Sequence, residues 1–494
     1  MQKQSVTMSP TVALHYVVSV SVRALLLFAL LPCAGCPFDQ DAPVRADRPW
    51  QPPPEQAIEV DVDRPRGFQF SVSSDKTYSL PELIDLAEAH NPQTSLAWER
   101  ARAQAAALGV ARSELFPTLV AAAQSQVNRQ DVFLGNQFFL QNIQTYQGVL
   151  DLNYTVFDFG ARAGRIDRAG AELLAANFGF NDTHRKVIYQ VEQAYYQLLN
   201  ALGQEDAAQA SLANAQAVQQ AAEDRLNHGL ATLPDVLEAR SATAQAQYVL
   251  QAALGAEEIA RGDLTTAIGA SPTSTILVQP LNEVPIPESV GDTVEQAIDC
   301  ALVERPDLLQ QVAQIRSARA RVKEARAAFY PILTFDASPG AQDLYGLQPP
   351  FPWTHGTAFA GGLSLKLSWT VLDGGARRSG LAQAESNVRA ADAQVHSTHD
   401  QIADEVWAAY SNLQTAFRQR QAATALLEAA NQSYAAALEA YKYGVRNLLD
   451  VTAAQQVLAR ARSTDVLART RVLGALAELA FRTGESIQPG AKRP

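Results

Sequence analysis

The sequence repeats itself once, over almost its whole length. Thr155 to Gly160 (TVFDFG) returns 215 positions later as Thr370 to Gly375 (TVLDGG). An offset of 214 or 215 relates three further pairs: Asn91-Pro92 and Arg305-Pro306, Phe116-Pro117 and Tyr330-Pro331, Gly269 and Gly484. Solenoid repeats are much shorter, at about 20 to 50 residues. The pattern therefore indicates a duplicated domain, which leaves little room in 494 residues for a separate catalytic module.

The first 35 residues predict a signal peptide. Lys3 and Arg23 precede the apolar run Ala24 to Leu31, and Ala34-Gly35-Cys36 follows it. The run is far shorter than the roughly 20 residues that a membrane-spanning helix needs. Because Ala-Gly-Cys resembles the bacterial lipobox, we expect cleavage before Cys36 and lipidation of its thiol. An ordinary cleavage site that happens to contain cysteines is the alternative.

Composition divides the remaining chain and limits its partners. Residues 36–76 are rich in proline and predict a lipid-anchored tether, followed by repeat 1 (77–285), repeat 2 (286–486) and a C-terminal tail (487–494). The formal net charge is −11, and loss of the signal peptide makes it more negative. An acidic chain of this kind is not expected to bind nucleic acid.

Both repeats predict the same series of helices, because apolar residues and alanines recur at helical spacing. A helix of about 60 residues spans on the order of 90 Å and must pack against others along its length. The predicted helices are Leu80 to Glu88, Gln93 to Leu115, Ala161 to Asn227 and Asp235 to about Ile268, then Thr293 to Val303, Asp307 to Phe329, Ala376 to Tyr443 and Asp450 to about Arg482.

Between the second and third helix of each repeat the period changes to two, which predicts strands with one apolar and one polar face. The strands are Thr118 to Asn128, Leu150 to Val156, Ile332 to Ser338 and Leu363 to Val371, with long loops predicted at Arg129 to Gln144 and Gly340 to Thr357. A half-solvated soluble sheet is one interpretation. The strand length and the signal peptide favour a membrane sheet, in which four strands cannot close a barrel without further copies of the chain.

This order of elements resembles the TolC family of bacterial outer-membrane channel proteins. The resemblance rests on T-V-x-D-x-G after the second strand of each repeat and on two G-x₅-D-V turns, Gly229 to Val236 and Gly444 to Val451. It implies an α+β membrane protein whose long antiparallel helices form a periplasmic α-barrel. Each chain of a homotrimer contributes four strands to one 12-stranded barrel in the lipid of the outer membrane.

The resemblance also implies a function and site residues. The protein would be a passive duct from a periplasmic adaptor and an inner-membrane pump to the exterior, gated at its periplasmic tip. Gly229, Leu230, Asp235, Gly444, Val445 and Asp450 would form the adaptor-docking tip, and Asp224, Arg225, Tyr441, Tyr443 and Arg446 the candidate gate. Asp151, Asp336 and Lys366 would line the pore. The alternative for the gate residues is an ordinary solvated helix end.

Two other classes of protein explain the sequence less well. An enzyme is disfavoured because the 7 histidines show no metal-ligand spacing, and phosphate-loop and nucleophile motifs are lacking from the sequence. We therefore expect no catalytic residue, metal or cofactor. A lipid-anchored periplasmic coiled-coil scaffold without a pore would explain the helices, but it leaves the alternating strands unexplained.

Overall fold

A computed structural model describes residue 73 and residues 75–287, 293–347 and 352–484. The signal peptide, Cys36, nearly all of the tether and the C-terminal tail lie outside the described residues and stay predictions. The chain divides into two units, Met1–Gly67 and Phe68–Pro494, and everything described below belongs to the second.

Eight helices in the described part of the chain follow the predicted order. Repeat 1 contains α1 (Leu80–His90), α2 (Pro92–Ser113), α3 (Ala161–Asn227) and α4 (Leu233–Ala267). Repeat 2 contains α5 (Val294–Glu304), α6 (Pro306–Ala327), α7 (Ala376–Lys442) and α8 (Leu448–Thr483). Prolines occupy the first turns of α1, α2, α4 and α6, where no helical hydrogen bond is lost.

One detail of the helix prediction was wrong. Asp235 and Asp450 do not start the returning helices, because α4 and α8 begin two residues earlier, after the N-caps Thr232 and Asn447. A hydroxyl or amide oxygen at the N-cap accepts from the open amides of the first turn as a carboxylate would. Acidic residues are common in that first turn, so their position alone does not identify the cap.

The sheet consists of β2 (Thr118–Leu134), β3 (Gln137–Phe157), β5 (Ile332–Ala337), β6 (Gly340–Leu347), β7 (Thr354–Phe359) and β8 (Leu363–Ser368). Along one edge β3 pairs with β2, and along the other with β5 and β6. β5 then pairs with β8, and β6 with β7. All pairings are antiparallel, so β5 with β6, and β7 with β8, act as two long strands in a four-stranded meander.

Main-chain hydrogen bonds continue across the breaks in these two long strands. The amide of Leu150 donates to the carbonyl of Pro339 at 2.9 Å, and the amide of Ser338 donates to the carbonyl of Gly362 at 2.9 Å. A separate two-residue pairing joins β1 (Thr77–Tyr78) in parallel to β4 (Leu277–Val278). The segment after β4, which contains a 3₁₀ turn at Leu281–Glu283, connects the repeats.

The predicted long loops were wrong. β2 continues to Leu134 and β3 begins at Gln137, so a tight turn with Gly135 at φ 66° replaces the first loop. Most of the second predicted loop is β6 and β7, while residues 348–351 lie outside the described part. In residues 128–131 of β2 the side chains on both faces are polar. The alternation that reveals a strand in a sequence therefore disappears while backbone pairing continues.

The long helices pack side by side through small residues. α3 contacts α2 and α6 near the sheet, and α4 and α8 further along, while α7 contacts α6 and then α8. Gly164 of α3 lies so close to Glu324 of α6 that an added Cβ would sit 2.8 Å from its backbone nitrogen. Close approach of this kind suits the alanine-rich seams between the helices. Among the described helices, none has both the length and the apolar composition required to cross a membrane.

Equivalent contacts recur in the two repeats where the short helices meet the ends of the returning helices. The side-chain amide of Asn91 donates to the carbonyl of Ala267 at 2.9 Å. In repeat 2 the guanidinium of Arg305 donates to the carbonyl of Arg482, the position equivalent to Ala267, at 3.4 Å. The duplication therefore extends to individual tertiary contacts.

Candidate functional site

The two predicted tip turns have the same backbone conformation, for a reason visible in their glycines. Gly229 and Gly444 have φ values of 71° and 77°, in the left-handed region that favours glycine. The next residue then turns back onto the helix: the amide of Leu230 donates to the carbonyl of Arg225 at 2.8 Å, and that of Val445 to the carbonyl of Ala440 at 2.9 Å. This is the Schellman ending of a helix, which satisfies its last carbonyls.

The aspartate and valine of each G-x₅-D-V turn have different structural roles. Asp235 accepts from the amide of Thr232 at 2.8 Å and from its hydroxyl at 2.7 Å. These bonds from Thr232, together with the charge of Arg225, lower the pKa of Asp235. In the second turn Asp450 donates its amide to the Asn447 side chain at 2.9 Å. The valines that follow the aspartates, Val236 and Val451, are buried in a hydrophobic core behind the tip.

Arg225 connects the two turns of one chain. It is a residue of α3, and its guanidinium donates to the carbonyl of Tyr441 in α7 at 2.7 Å and to that of Leu230 in the first turn at 3.2 Å. The same guanidinium lies 4.8 Å from the centroid of the Tyr441 ring, which is a cation–π arrangement. Two predicted gate residues from different repeats are therefore in direct contact.

The Arg225 contact leaves two polar atoms unsatisfied. Nε of Arg225 and the hydroxyl of Tyr441 are buried and have no hydrogen-bond partner. A buried polar group without a partner costs on the order of 1 to 3 kcal/mol. Burial raises the pKa of Tyr441 although the charge of Arg225 opposes the shift, so the phenol stays protonated near neutral pH. The contact between the hairpins thus includes a cost that their separation would relieve.

The other three predicted gate residues do not take part in this contact. Asp224 accepts a hydrogen bond from Gln220 at 3.0 Å, within α3. Tyr443 is 82% exposed, and Arg446 is also exposed. Within the described chain these residues are arranged around the tip without bonding to one another. Leu230 and Val445 are 66% and 78% exposed, so each turn presents an apolar side chain.

A core of small side chains holds the two helical hairpins together behind the tip. Tyr434 and Tyr441 are the only aromatic residues among its buried members within the described chain, and alanines separate them. Other buried members are Val218, Ala222, Val236, Ala239, Ala430, Ala437, Leu448, Val451, Leu458 and Ala461. Alanine contacts bury little area each, so separating the hairpins would expose less apolar surface than a core of large side chains would.

At the other end of the helices, the sheet places the three predicted pore residues on its polar face. Asn153 of β3 pairs with Asp336 of β5, and Thr334 of β5 pairs with Lys366 of β8. Asp151 lies two residues from Asn153 and therefore on the same side of the sheet. The side chains of Asn153 and Asp336 are hydrogen-bonded to each other.

The opposite face of the sheet is apolar and exposed. One row across all four strands consists of Leu119, Leu152, Ala337 and Leu363, paired in that order. Leu363, Leu365 and Leu367 of β8 are 76%, 65% and 66% exposed. Contiguous apolar surface of this kind is unusual on a soluble monomer and marks a surface that contacts lipid or protein.

Sequence reasoning missed an arginine that follows each T-V-x-D-x-G motif. The carboxylate of Asp158 accepts from the amide of Arg162 at 2.7 Å and from its Nε at 3.2 Å. In repeat 2, Asp373 accepts from the amide of Arg377 at 3.0 Å and from its Nε at 2.7 Å. Each arginine also donates to the carbonyl two residues before its aspartate, Arg162 to Val156 at 3.4 Å and Arg377 to Val371 at 3.3 Å. The signal was present, because the arginines share the 215-residue offset.

These contacts fix the angle at which each strand leads into its long helix. Gly160 and Gly375 precede the helices with φ values of 96° and 91°, and the aspartate carboxylates satisfy the open amides beyond them. Within the part of the chain that the structure describes, no three or more metal-binding side chains are grouped so that they could hold an ion.

The geometry defines a class of protein: paired helical hairpins joined at a tip, with a four-stranded sheet that exposes an apolar face. The comparisons place the chain within that class. Residues 83–270 and 297–485 match the family described as outer membrane efflux protein, one match for each repeat. The chain belongs to this family.

Individual relatives are similar over most of their length. Protein CyaE of Bordetella pertussis is 28% identical over 405 residues, which cover 81% of this chain and 83% of the relative. Outer membrane protein OprJ of Pseudomonas aeruginosa is 27% identical over 452 residues, covering 88% and 89%. The solved structure of the outer-membrane channel OprN has a TM-score of 0.73 at 21% identity and covers 83% of this chain and 91% of its own. The α+β fold class predicted from the sequence is confirmed.

Proposed function

We propose that the protein is the outer-membrane channel of a tripartite efflux or secretion system. It is a passive trimeric duct that carries substrate from a periplasmic adaptor and an inner-membrane pump to the exterior. The observation that carries this proposal is the sheet, which has an exposed apolar face and two unpaired edges within the described chain, at β2 and at β7 with β8.

Closure of the sheet follows from the cost of open edges in lipid. Unpaired backbone amides and carbonyls have no water to bond in the hydrocarbon region, and each costs several kcal/mol there. The β2 edge of one copy can pair with the β7 and β8 edge of the next. Three copies with four strands each give the 12-stranded barrel expected from the family resemblance. The apolar face then contacts lipid, and Asp151, Asp336 and Lys366 line the pore.

The relatives support the assignment to efflux. Among them are a solvent efflux pump outer membrane protein of Pseudomonas putida and a pyoverdine export outer membrane protein of Pseudomonas aeruginosa. Their names describe different exported compounds, so we assign this chain the duct and not a particular substrate. Selectivity is then a property of the pump and adaptor.

The tip is the proposed docking and gating end. Gly229, Leu230 and Asp235 in one turn, with Gly444, Val445 and Asp450 in the other, present exposed apolar side chains next to capped helix starts. An adaptor can bury Leu230 and Val445 without displacing the core of either hairpin. Arg225 and Tyr441 hold the hairpins of one chain together, and the exposed Asp224, Tyr443 and Arg446 are positioned to contact neighbouring chains or the adaptor.

Lipidation at Cys36 completes the proposal and also provides its test. A barrel is held by its lipid-facing surface, whereas a scaffold would be held by the acyl chains alone. The Cys36→Ala variant, exported with a cleavable signal peptide of a non-lipidated protein in place of residues 1–35, is expected to stay in the outer-membrane fraction after alkaline carbonate extraction. Release of this variant as a soluble protein would support the alternative, a lipid-anchored periplasmic coiled-coil scaffold without a pore.

A further inference from the structure

A cavity lies beneath the segment that connects the two repeats. Its volume is 630 Å³, which is within the range of sites that bind drug-sized molecules or short peptide ends. One wall is apolar and comes from Leu198, Leu199 and Leu202 of α3, together with Ile276 and Leu281 of the connecting segment. We call it the linker pocket. It is separate from the tip and from the sheet.

The other wall of the linker pocket is polar and is formed mainly by α8. Arg462 and Asp465 both line it, and their spacing of three residues places them on one face of the helix. Asp465 is only 5% exposed, and one of its oxygens accepts from Nε of Arg469 at 3.0 Å. Its other oxygen, Oδ1, is buried and has no hydrogen-bond partner.

Arg462 carries a hydrogen-bond donor without a partner. Its Nη1 is buried and lacks an acceptor, and no described carboxylate lies within ion-pair distance of its guanidinium. The other two arginines of the pocket are already paired, Arg261 with Glu257 and Arg469 with Asp465. The pocket thus combines an unused buried donor, an unused buried acceptor and an apolar wall. Buried polar atoms are nearly always satisfied, so each of the two points to a bound group.

We propose that the linker pocket binds the C-terminal end of a peptide with apolar side chains. The terminal carboxylate accepts from Arg462, the amide N–H of the last residue donates to Oδ1 of Asp465, and apolar side chains pack on the leucine wall. Capture of a peptide's terminal carboxylate is a recurrent recognition mode. The lining contains three arginines and two carboxylates, Asp206 and Asp465, so its formal charge of +1 favours an anionic ligand. The partner is therefore a protein with a free apolar C-terminus. Its binding site is additional to the proposed efflux function.

A fluorescent pentapeptide tests this assignment on the purified full chain in amphipol. The probe carries fluorescein at its N-terminus and ends in three leucines with a free carboxylate, and its matched control ends in a carboxamide. The side chains of the two peptides are identical, and nonspecific partitioning into amphipol would favour the less charged carboxamide over the acid. We expect saturable binding of the acid, measured by fluorescence anisotropy, with at least tenfold weaker binding of the amide. Methylation of the last amide nitrogen should weaken binding similarly.

Two charge-matched variants locate the site. Arg462→Gln is expected to reduce affinity for the acid at least tenfold. Arg460→Gln, which removes an exposed arginine from the same helix, should leave the affinity unchanged. The comparison of acid with amide on the unmodified chain keeps the proposal testable if Arg462→Gln fails to fold. Equal affinity for acid and amide, no saturable binding, or equal loss in both variants would overturn it. Complete displacement by an equal concentration of octanoate would do the same, since it would identify a fatty carboxylate as the ligand.

Discussion

The guanidinium of Arg225 donates a 2.7 Å hydrogen bond to the main-chain carbonyl of Tyr441, 216 residues further along the chain. The bond joins the end of the long helix of repeat 1 to the end of the equivalent helix of repeat 2. Repeat 2 has Ala440 at the position equivalent to Arg225, so the contact is not duplicated and the tip is asymmetric. The side chain of Arg225 therefore links the two hairpins at the tip, in addition to the core behind it.

The positive φ of Gly444 makes this glycine sensitive to substitution. Gly444→Ala is expected to lower the free energy of unfolding by about 1 kcal/mol, because an L-residue in the left-handed region is strained. Space is not the cause, since an added Cβ would meet only Arg225 atoms at 3.7 Å or more. Gly474→Ala, in the interior of α8 with no atom within 4 Å, should be neutral or stabilising. Thermal unfolding followed by circular dichroism in detergent compares the two, and equal destabilisation would contradict this explanation.

Asp158, which caps a helix, should contribute more to stability than Asp167, an exposed aspartate that only forms an ion pair. Asp158→Ala removes a helix cap and a largely buried ion pair with Arg162. The substitution is expected to lower the free energy of unfolding by about 1 to 2 kcal/mol. Asp373→Ala should have a similar effect at the equivalent junction. Asp167→Ala breaks only an exposed pair with Lys323 and is expected to cost less than about 0.5 kcal/mol. Chemical denaturation measures these differences, and a larger cost for Asp167→Ala than for Asp158→Ala would be inconsistent with the capping role.

Glu192 predicts a dependence of stability on pH. It is 2% exposed, and burial raises its pKa to about 7. Because the folded state holds the proton more tightly than the unfolded state, stability is greatest below about pH 4.5 for this group and decreases as the pH rises towards 7. At pH 8 the cost is on the order of 3 kcal/mol. Glu192→Gln should therefore be stabilising at pH 8 and nearly neutral at pH 4.5, as measured by thermal unfolding. A stabilisation independent of pH would exclude titration of Glu192 as the cause.

Arg305 is the centre of a buried charge network. It donates to Asp307 at 2.6 Å and to Glu405 at 2.8 Å and is 4% exposed. Burial alone would raise the pKa of Asp307, but the hydrogen bond and charge of Arg305 outweigh burial and leave that pKa lowered. The stability from Asp307 is thus present above its unfolded pKa and lost as the pH falls. Arg305→Met should cost about 3 kcal/mol at pH 7, because two partly buried carboxylates lose a buried partner.

The control for the Arg305 network is an exposed arginine on α6. Arg326→Met breaks a pair with Glu385 in which the arginine side chain is 65% exposed, and it should change stability by less than about 0.5 kcal/mol. Thermal unfolding at pH 7 and pH 4 separates the two variants. If Arg305→Met proved as mild as Arg326→Met, the network would not be a stabilising element.

Local patterns were sufficient to predict most of the fold. The helical period and the prolines at positions 92 and 306 located the helices to within a few residues. The alternation in Leu363 to Val371 identified a strand with an apolar face, because its side chains are alternately apolar and polar. Where both faces are polar, as in residues 128–131, the alternation is absent. The sequence therefore predicts a loop there, although strand β2 continues to Leu134.

Long-range contacts were beyond a sequence-based prediction. Arg225 and Tyr441 were both identified as candidates, but their direct contact depends on how the two hairpins pack and not on any local pattern. Arg162 and Arg377 are different, because the duplication already contained them as a matched pair. The linker pocket has no sequence signal, since its walls come from α3, α8 and the connecting segment between the repeats.

The central claim is a gated channel held shut at the tip, and single-channel recording in a planar bilayer tests it most directly. The unmodified protein should form pores of low conductance, and Arg225→Ala should raise the conductance several-fold by releasing one hairpin from the other. Arg240→Ala removes an arginine that pairs with Glu223 within the first hairpin alone, and should leave the conductance unchanged. Silence from all three proteins, or equal conductance of Arg225→Ala and the unmodified chain, would contradict the account.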